Sequence, residues 1–576
     1  ITMVDDVSPD TWSDNVYVLN TLNFEMNNTL DVRPGTRAII NPSSGLNFNG
    51  GSLNVNGEEN NQVYFLPQSE SNTWNGISFG VSAGNNIEYA NISAASTAIS
   101  TLYNNGANIQ HCNINGGNIG IYLYRGEQEP YANIPATIKF NTILSTANTS
   151  VLVDRGASGI VLQDNILDGG DIGMSFVNSS PIRITQNKIY NQQKFGIYIA
   201  NASPSFIDEG LQTNNCITGN GIGVQVESYS TPVFGLDNIP GYNSINKNIS
   251  YQFYVTDACD VQVQYNYFRD GNPIPEDFYI DGSSRLIWEP ALESDPNECS
   301  TGKKSFSYNV AHKGNDGGRL SNFHDDPRVK QAIQHRIQGQ YITAIGILKS
   351  IINTTPEIDF IRWAIQELLA NFQMIKNPNA GNTISNYLRA RIQATNNWEI
   401  KRAIRDALAG TYLHERNHIS ALNALNESIQ LYPNTTSELL ALYGKASLAI
   451  NVLHNVSLAE NTLQVLQTKY PAEELTILAQ ALVENRTNKT VNQSSVANNV
   501  TKHLLGKEMM TKFGLEQNYP NPFNPTTTIR FTIHEPQITT LKVFNILGEE
   551  IATLLNNEPM QTGKHEIQFD ATNLPS

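Results

Sequence analysis

The 576-residue sequence has no run of about 18 apolar residues, so no segment is long enough to cross a bilayer as a helix. Basic residues are also few. The 37 Lys and Arg stand against 53 Asp and Glu, which gives a formal net charge of −16. Nucleic acids need clustered Lys and Arg, and anionic membranes need basic patches, so both are disfavoured as partners. The length exceeds what one hydrophobic core supports and indicates several structural units.

Cysteine is equally scarce. The four cysteines are Cys112, Cys216, Cys259 and Cys299. They are too few for a disulfide scaffold, and no Cys-x-x-Cys pair gives the spacing of metal ligands, so we predict no structural metal. Outside a cell, Cys259 and Cys299 could pair, and single buried thiols are the alternative.

A short repeated phrase dominates residues 1–300. The phrase begins with an apolar, a variable and a second apolar residue. It continues with two or three polar residues, then an Asn and another apolar residue, as in IEYANI at 87–92 and VLQDNI at 161–166. The phrase alternates like a strand with one buried face, and Asn and Gly suit the sharp corners between strands. The marked asparagines recur every 22–28 residues, which fits one coil of three short strands. They are Asn91, Asn113, Asn141, Asn165, Asn187, Asn215, Asn243 and Asn266.

Stacked coils would bury a continuous apolar column and align these asparagines as a hydrogen-bonded ladder along one corner. The repeats resemble the right-handed parallel β-helix family, which implies a β-solenoid over residues 1–300. A second phrase, GIYL at 120–123 and its later copies, turns the residue between its apolar positions outward. That residue is Tyr122, Ser175, Tyr198 or Gln225 in successive copies. Aromatic rings and amides suit sugar binding, so Tyr122, Tyr198 and Gln225 are candidate ligand-binding residues, and an inert surface ladder is the alternative.

One acidic cluster is a candidate for catalysis. Asp164, Asp168 and Asp171 fall within QDNILDGGDIG. Some β-helix families cleave polysaccharides, and that chemistry needs clustered carboxylates, a metal or a basic residue on one outer face. Carboxylates around a Gly-Gly turn also serve solvation alone, which is the alternative. Calcium is the cation such a cluster would hold, and the sequence otherwise indicates no cofactor.

From Asp326 the apolar residues adopt helical spacing, and the segment 408–433 resembles a tetratricopeptide repeat. The family positions are held by Leu408, Ala409, Tyr412, Ala421, Leu425 and Pro433. We predict α-helical hairpin repeats over 326–483, after a linker at 301–325. Residues 414–418, HERNH, spell the H-E-x-x-H zinc motif, but they fall at a predicted hairpin turn, whereas a zinc site needs one continuous helix.

The last segment, 513–576, follows a linker at 484–512 and opens with the phrase NYPNPFNP. The residues of this motif are Asn518, Pro520, Asn521, Pro522, Phe523, Asn524, Pro525 and, further on, Gly548. The segment closely resembles the C-terminal sorting domain of the type IX secretion system. Its alternating stretches predict a small β-sandwich. The resemblance implies export by the type IX machinery to the outer-membrane surface or beyond, and we expect the domain to be truncated.

Three functions fit this organisation. The first, which we favour, is a secreted or cell-surface non-catalytic binding or structural protein, adhesin- or matrix-like, with a glycan or protein ligand. In that interpretation the coil provides a ligand-facing flank and the helical repeats contact a protein. The second is an extracellular polysaccharide lyase or glycoside hydrolase, and the third is a structural subunit of an extracellular assembly.

Overall fold

The structure is a computed structural model of the whole chain. It describes every residue except 1, 5–9, 26–27, 70–72, 81–83, 104–105, 127–135, 156–158, 181–182, 208–211, 237–238, 258, 270–272, 298, 300–325, 376–383, 488–513, 516–517, 519–524, 534–536, 545–549, 561–562 and 573–576. Residues 1–490 form one compact unit and residues 491–576 form a second.

The N-terminal part of the first unit is a coil of short strands. In chain order they are β1 (Thr2–Val4), β2 (Thr11–Trp12), β3 (Asn15–Val18), β4 (Leu22–Glu25), β5 (Thr29–Val32), β6 (Arg37–Ile40), β7 (Gly45–Asn49), β8 (Ser52–Asn56), β9 (Val63–Pro67), β10 (Gly76–Phe79), β11 (Asn86–Glu88), β12 (Ala90–Ser93), β13 (Thr97–Tyr103), β14 (Asn108–Gln110), β15 (Asn113–Asn115), β16 (Ile119–Gly126), β17 (Thr137–Lys139), β18 (Thr142–Asp154), β19 (Val161–Gln163), β20 (Ile166–Val177), β21 (Arg183–Thr185), β22 (Lys188–Tyr190), β23 (Phe195–Ala200), β24 (Cys216–Thr218), β25 (Ile222–Glu227), β26 (Val233–Gly235), β27 (Ser244–Asn246), β28 (Tyr251–Val255), β29 (Asp260–Val263), β30 (Phe278–Ile280) and β31 (Arg285–Ile287).

Each of these strands pairs in parallel with its counterpart one coil later, which confirms the predicted solenoid. Face 1 contains β1, β3, β6, β9, β12, β15, β22, β24 and β27. Face 2 contains β4, β7, β10, β13, β16, β23, β25, β28 and β30. The long strands β18 and β20 bend from face 1 to face 2, because each pairs with a strand of both faces. Face 3 contains β2, β5, β8, β11, β14, β17, β19 and β21, and β26, β29 and β31 form a further short sheet.

Alternate side chains of every face point into a single dry interior. On face 3, Ile87, Ile109, Ile138, Leu162 and Ile184 stack in register in successive coils and are at most 1% exposed. A three-residue strand buries little apolar area by itself, so stability comes from the stacking of successive coils.

Six buried asparagines form a ladder along the corner that precedes face 1. Each side-chain amide donates to the next side-chain oxygen at 2.8–3.1 Å, and each backbone N–H donates to the same oxygen. The members are Asn141, Asn165, Asn187, Asn215, Asn243 and Asn266. This pattern satisfies both the buried side chains and the backbone at every turn.

Asn91 and Asn113, which the sequence pattern predicts to be ladder members, lie outside it. They pair with each other one residue further along face 1, and the backbone N–H of Cys112 instead donates to the Oδ1 atom of Asn141. The reason is the two-residue period of a strand. Ladder asparagines stand two residues before a buried apolar residue, as Asn141 does before Ile143, whereas Asn113 directly precedes Ile114 and therefore points outward.

The disulfide joins Cys216 to Cys299, with a Cα–Cα distance of 6.0 Å. The pairing of Cys259 with Cys299 that we considered is therefore wrong. Cys259 is a free thiol that lies fully buried inside the coil, where its Sγ atom accepts a hydrogen bond from the backbone N–H of Ser230. Cys112 is also free and buried, and burial raises its thiol pKa to about 12.

A layer of helices packs against face 2 of the coil and confirms the predicted helical repeats. The described helices are α1 (Pro327–Ile337), α2 (Tyr341–Thr354), α3 (Ile358–Gln373), α4 (Ile384–Ala394), α5 (Trp398–His414), α6 (His418–Leu431), α7 (Thr436–Asn451), α8 (Val456–Lys469) and α9 (Glu474–Thr487). The odd-numbered helices carry side chains that contact the coil, and α7 is buried from Ser437 to Asn451 except at Lys445. Helices α2, α6 and α8 bury one stripe each, as amphipathic outer helices do.

Asparagine also sets the helix starts. Asn397, Asn417 and Asn455 accept hydrogen bonds from the first-turn N–H groups of α5, α6 and α8. Because Asn417 caps α6 and α5 ends at His414, the HERNH segment spans a turn, as predicted.

The second unit is antiparallel and agrees with the predicted small β fold. Its described strands are β32 (Gly514–Leu515), β33 (Thr526–Ile533), β34 (Gln537–Phe544), β35 (Glu550–Met560) and β36 (Gly563–Asp570). Strand β33 pairs with β32 and β36, and β34 pairs with β35.

Candidate functional site

The outward-facing side chains of face 2 contact the helical layer. Strand pairing aligns seven of them in one row, the face-2 row. Its members are Tyr122, Leu152, Ser175, Tyr198, Gln225, Tyr254 and Tyr279. The first five are at most 7% exposed, whereas Tyr254 and Tyr279 are partly exposed. The row therefore starts beneath the helices and emerges at the later coils.

Three side chains of α7 hold the covered part of face 2. The amide of Asn451 donates to the hydroxyl of Tyr122 at 2.9 Å. The hydroxyls of Tyr443 and Ser447 donate to the buried carboxylate of Asp154 at 3.1 and 2.7 Å. Burial raises the pKa of Asp154, and the neighbouring Arg155 and these hydroxyl donors oppose that rise. The coil and the helical layer are thus joined by specific polar contacts as well as by apolar packing.

A buried ion pair adds a second contact. Both side-chain oxygens of Glu367 in α3 accept from the Nη1 atom of Arg336 in α1 at 2.9 Å. Arg336 also donates to the backbone carbonyl of Ser203 in the coil, and Thr231 of the coil donates to Glu367 at 3.4 Å. Because both charges are almost fully buried, loss of either partner would leave the other charge buried and unpaired, which is strongly destabilising.

These contacts locate the predicted ligand-binding residues. Tyr122, Tyr198 and Gln225 do point out of the coil, but all three are buried. Tyr122 and Tyr198 pack in one apolar cluster with the helices, and Gln225 donates to Glu227. Their proposed role in ligand binding stays a prediction. The surfaces that we assigned to a ligand and to a protein partner face each other within this chain.

An open groove of about 520 Å³ lies where the helical layer leaves face 2. The coil contributes Glu227, Tyr229 and Asp257 to its wall, and the helices contribute Arg362 and Arg402. Glu473, directly before α9, also lines the groove, so carboxylates lie on both sides of it and the guanidinium groups lie on the helix side only. Its volume falls in the range of about 300–1,000 Å³ typical of small-molecule sites.

Tyr229 stands between the two arginines. The Cζ atoms of Arg362 and Arg402 lie 5.3 and 5.2 Å from its ring centroid, within the range of cation–π contacts. Tyr229 and the preceding Ser228 both have φ near +60°, a left-handed conformation that is uncommon for residues other than glycine. The backbone N–H of Tyr229 donates to the carbonyl of Asp257 at 3.1 Å, which ties this turn to the next coil.

Helix packing fixes the two guanidinium groups. The Nε atom of Arg402 donates to the Ser437 hydroxyl at 2.7 Å, and Arg362 forms an ion pair with Glu399 at 3.6 Å. Both arginines are thereby held over the coil, so their groove-facing atoms are positioned in advance of any ligand.

Glu227 has the most perturbed carboxyl of the groove. Burial raises its pKa to about 7, and the nearby Asp257 adds to the rise. The hydroxyl of Tyr198 and the amide of Gln225 donate to its two oxygens and oppose the shift. Burial and Asp281 also raise the pKa of Asp257.

A tyrosine platform lies on the same face of the coil as the groove wall, one coil beyond Gln225. The rings of Tyr254 and Tyr279 stack in parallel with centroids 4.2 Å apart, and Tyr251 lies tilted against both at 5.8 and 5.9 Å. Tyr254 pairs with Gln225 one coil away, and Gln225 in turn donates to Glu227 in the groove wall. All three tyrosines are partly exposed.

The sequence contained a signal for the platform that we did not use. FYV at 253–255 and FYI at 278–280 repeat the apolar, outward, apolar order of IYL at 121–123. Arg362 and Arg402 had no such signal, because only the docking of the helices brings them to the coil.

Two of the three candidate aspartates have separate side-chain partners. Asp168 accepts from the Asn191 amide at 2.8 Å, and Asp171 forms an ion pair with Lys194 at 3.1 Å. Lys194 also contacts Glu474 of α9 at 3.2 Å, so Asp171 belongs to the contact with the helices. Asp164 occupies a left-handed corner before the Asn ladder. No group of three or more His, Cys, Asp or Glu in the described part of the chain is arranged to hold a metal ion.

Two residues of the sorting motif can be placed. The amide of Asn518 donates to the Thr527 hydroxyl at 3.0 Å, and the carbonyl of Pro525 accepts from the backbone N–H of Ala571 at 2.9 Å. Pro520, Asn521, Pro522, Phe523, Asn524 and Gly548 lie outside the described residues.

Comparison with known proteins gives two family matches. Residues 131–288 match the right handed beta helix region, and residues 517–576 match the secretion system C-terminal sorting domain. Among solved structures, the crystal structure of an alginate lyase from Paenibacillus sp. str. FPU-7 is similar over 44% of this chain and 93% of that chain, at 11% identity and a TM-score of 0.18. No curated protein matches the sequence.

Within the described residues, none of the helices is both long enough and apolar enough to cross a membrane. The sorting-domain match indicates recognition by the type IX secretion machinery. The chain therefore combines a coil that includes a match to the right handed beta helix family, a docked layer of helices and a C-terminal match to the sorting domain, which indicates export to the cell surface or the extracellular space.

Proposed function

We propose that this exported chain is a non-catalytic binding protein whose ligand lies in the groove between face 2 and the helical layer. The observation that carries the proposal is the groove itself. It is open, it is large enough for a small-molecule-sized group, and positioned side chains of both charges line it. Most of the remaining face 2 surface near the helices is occupied by contacts within the chain.

The ligand is an extracellular one, because the sorting domain directs the chain outward. A stacked coil suits this role, since it holds the groove wall on a rigid series of hydrogen-bonded strands. The helical layer supplies the second wall and is held to the coil by the Arg336–Glu367 pair and the Asp154 contacts.

A second candidate function has one observation in its favour. Glu227 and Asp257 both line the groove. The pKa of Glu227 is raised to about 7, so its carboxyl keeps a proton close to neutral pH, as a general acid requires. This supports an extracellular polysaccharide lyase or glycoside hydrolase as the alternative.

Co-sedimentation combined with product analysis distinguishes the two functions. The purified chain is incubated with insoluble polysaccharides and with cell-envelope material, and bound protein and released soluble products are both measured. We expect retention without product, reduced in Arg402→Ala and retained in Arg183→Ala, which removes an exposed arginine from face 3. Release of unsaturated or reducing sugars with turnover would overturn the binding proposal, and so would equal retention of both variants.

A further inference from the structure

We infer that the groove and its tyrosine platform bind an uncharged oligosaccharide. This assignment rests on the proposed function and names the ligand class of the same site. Charge, ring geometry and pre-positioning of the groove side chains each support it.

The charge pattern of the groove disfavours an ionic ligand. Its coil wall carries Glu227 and Asp257, while its helix side carries Arg362 and Arg402 together with Glu473. A ligand of one net charge would be attracted by one set of these groups and repelled by the other, so the groove offers it little net electrostatic gain. A sugar hydroxyl both donates and accepts hydrogen bonds, so neighbouring hydroxyls can satisfy carboxylates and guanidinium groups at the same time.

The hydrogen-bond partners of Glu227 are consistent with an uncharged ligand. Its carboxyl is already oriented by the Tyr198 hydroxyl and the Gln225 amide. Below a pH of about 7 this group is protonated and therefore uncharged, which leaves the coil wall with fewer negative charges. A neutral, polyhydroxylated ligand carries no charge, so it loses no charge–charge attraction when Glu227 is protonated.

The platform supplies the apolar half of the site. Tyr254 and Tyr279 continue the face-2 row beyond the helices, and their rings are stacked while still partly exposed. Tyrosine combines a flat apolar ring with a polar tip, which matches a sugar ring with its C–H face and hydroxyl edge. Its side chain has few rotatable bonds, so little entropy is lost when a ligand stacks on it.

The binding test uses isothermal titration calorimetry on the full chain. The probes are neutral β-glucan, xylan and mannan oligosaccharides, with oligouronates as acidic comparators. We expect at least one neutral series to bind, and we expect Tyr279→Ala to weaken that binding by about tenfold or more. Tyr279→Phe keeps the ring and is expected to retain binding within about threefold.

Phe140→Ala is the matched control. Phe140 is 45% exposed and stacks on His111 at another corner of the coil, with ring centroids 5.0 Å apart. This variant also removes an exposed stacked ring, and we expect it to leave saccharide affinity unchanged. Equal losses in Phe140→Ala and Tyr279→Ala would overturn the assignment, and so would binding of oligouronates without neutral oligomers.

The two proposals fail differently. Retention on envelope material that depends on Arg402 but does not respond to any neutral oligosaccharide competitor would overturn the ligand class and leave the binding function standing. Cleavage of a neutral oligosaccharide would overturn the non-catalytic function while supporting the ligand class. Tyr279 belongs to the last described strand of face 2, and circular dichroism spectra of its variants establish that each compared protein is folded.

Discussion

Replacing Gly444 with alanine tests whether α7 truly packs against the coil. Gly444 lies in the buried stretch of α7. A Cβ atom built there would lie 2.0 Å from the Nη2 atom of Arg155 in the coil and 3.0 Å from the Cδ2 atom of Leu425 in α6. Both distances are shorter than van der Waals contact, so the guanidinium group must move. Arg155 is only 6% exposed and has little room to do so.

The magnitude follows from two opposing effects. An alanine in the middle of a helix is favoured over glycine by about 1 kcal/mol. Overpacking a filled core costs about 1–3 kcal/mol. Gly346 in α2 isolates the first effect, because a Cβ atom built there meets nothing within 4 Å. We therefore expect Gly346→Ala to raise the free energy of unfolding and Gly444→Ala to leave it unchanged or lower it by up to about 2 kcal/mol.

Chemical denaturation measures both variants in the same protein. The denaturation midpoint should rise for Gly346→Ala and stay or fall for Gly444→Ala, with similar slopes in both. The difference between the two variants, about 1–3 kcal/mol, is the contribution of the packing of α7 against Arg155. If Gly444→Ala stabilises the chain as much as Gly346→Ala does, then α7 does not pack on the coil as described, and the groove loses its second wall.

Three further predictions concern the same unit. Glu367→Gln removes the charge that pairs with the buried Arg336, and we expect a loss of about 3–5 kcal/mol in denaturation experiments, since the guanidinium group would then be buried without its counter-charge. Reduction of Cys216–Cys299, which closes a separation of 83 residues, should lower unfolding stability by about 2–4 kcal/mol, and an unchanged midpoint with dithiothreitol would contradict the bond. Glu227 releases its proton near pH 4.5 when unfolded and near pH 7 when folded, so its contribution lowers stability as pH rises through that window, and denaturation midpoints at pH 5 and pH 8 should differ less in Glu227→Gln than in the native chain.

The sequence predicts the coil well because each coil obeys local rules. The alternation of apolar residues fixes which side chains enter the interior, and Asn marks the turns. Asn91 and Asn113 show that an Asn in the repeated phrase is not enough to predict a ladder position, because a ladder Asn must also stand two residues before a buried apolar residue. Counting from Asn113 to the next buried residue, instead of matching the letter alone, would have identified Cys112 as the residue that replaces asparagine in that coil.

The docking of helices on the coil is the part that sequence periodicity does not determine. The same row contains Tyr122 and Tyr279, with the same outward orientation, yet one is buried by Asn451 and the other is partly exposed. Tyr122 is covered by a residue that lies 329 positions away in the chain. Sequence periodicity does not predict the disulfide either, because Cys299 follows the last described strand of the coil and no periodic pattern fixes its position.

Packing of the inner helices against face 2 restricts which partners the helical layer can bind. Helical repeats ordinarily offer their inner surface to a separate partner, and here Tyr443, Ser447 and Asn451 already use that surface to contact Asp154 and Tyr122. A protein ligand on that side would first have to break buried polar contacts, and each buried group left unpaired costs about 1–3 kcal/mol. The groove requires no such break, because its arginines and carboxylates are held in place while their wall stays open. Recognition by the exported unit is therefore expected at the margin of the helical layer rather than beneath it.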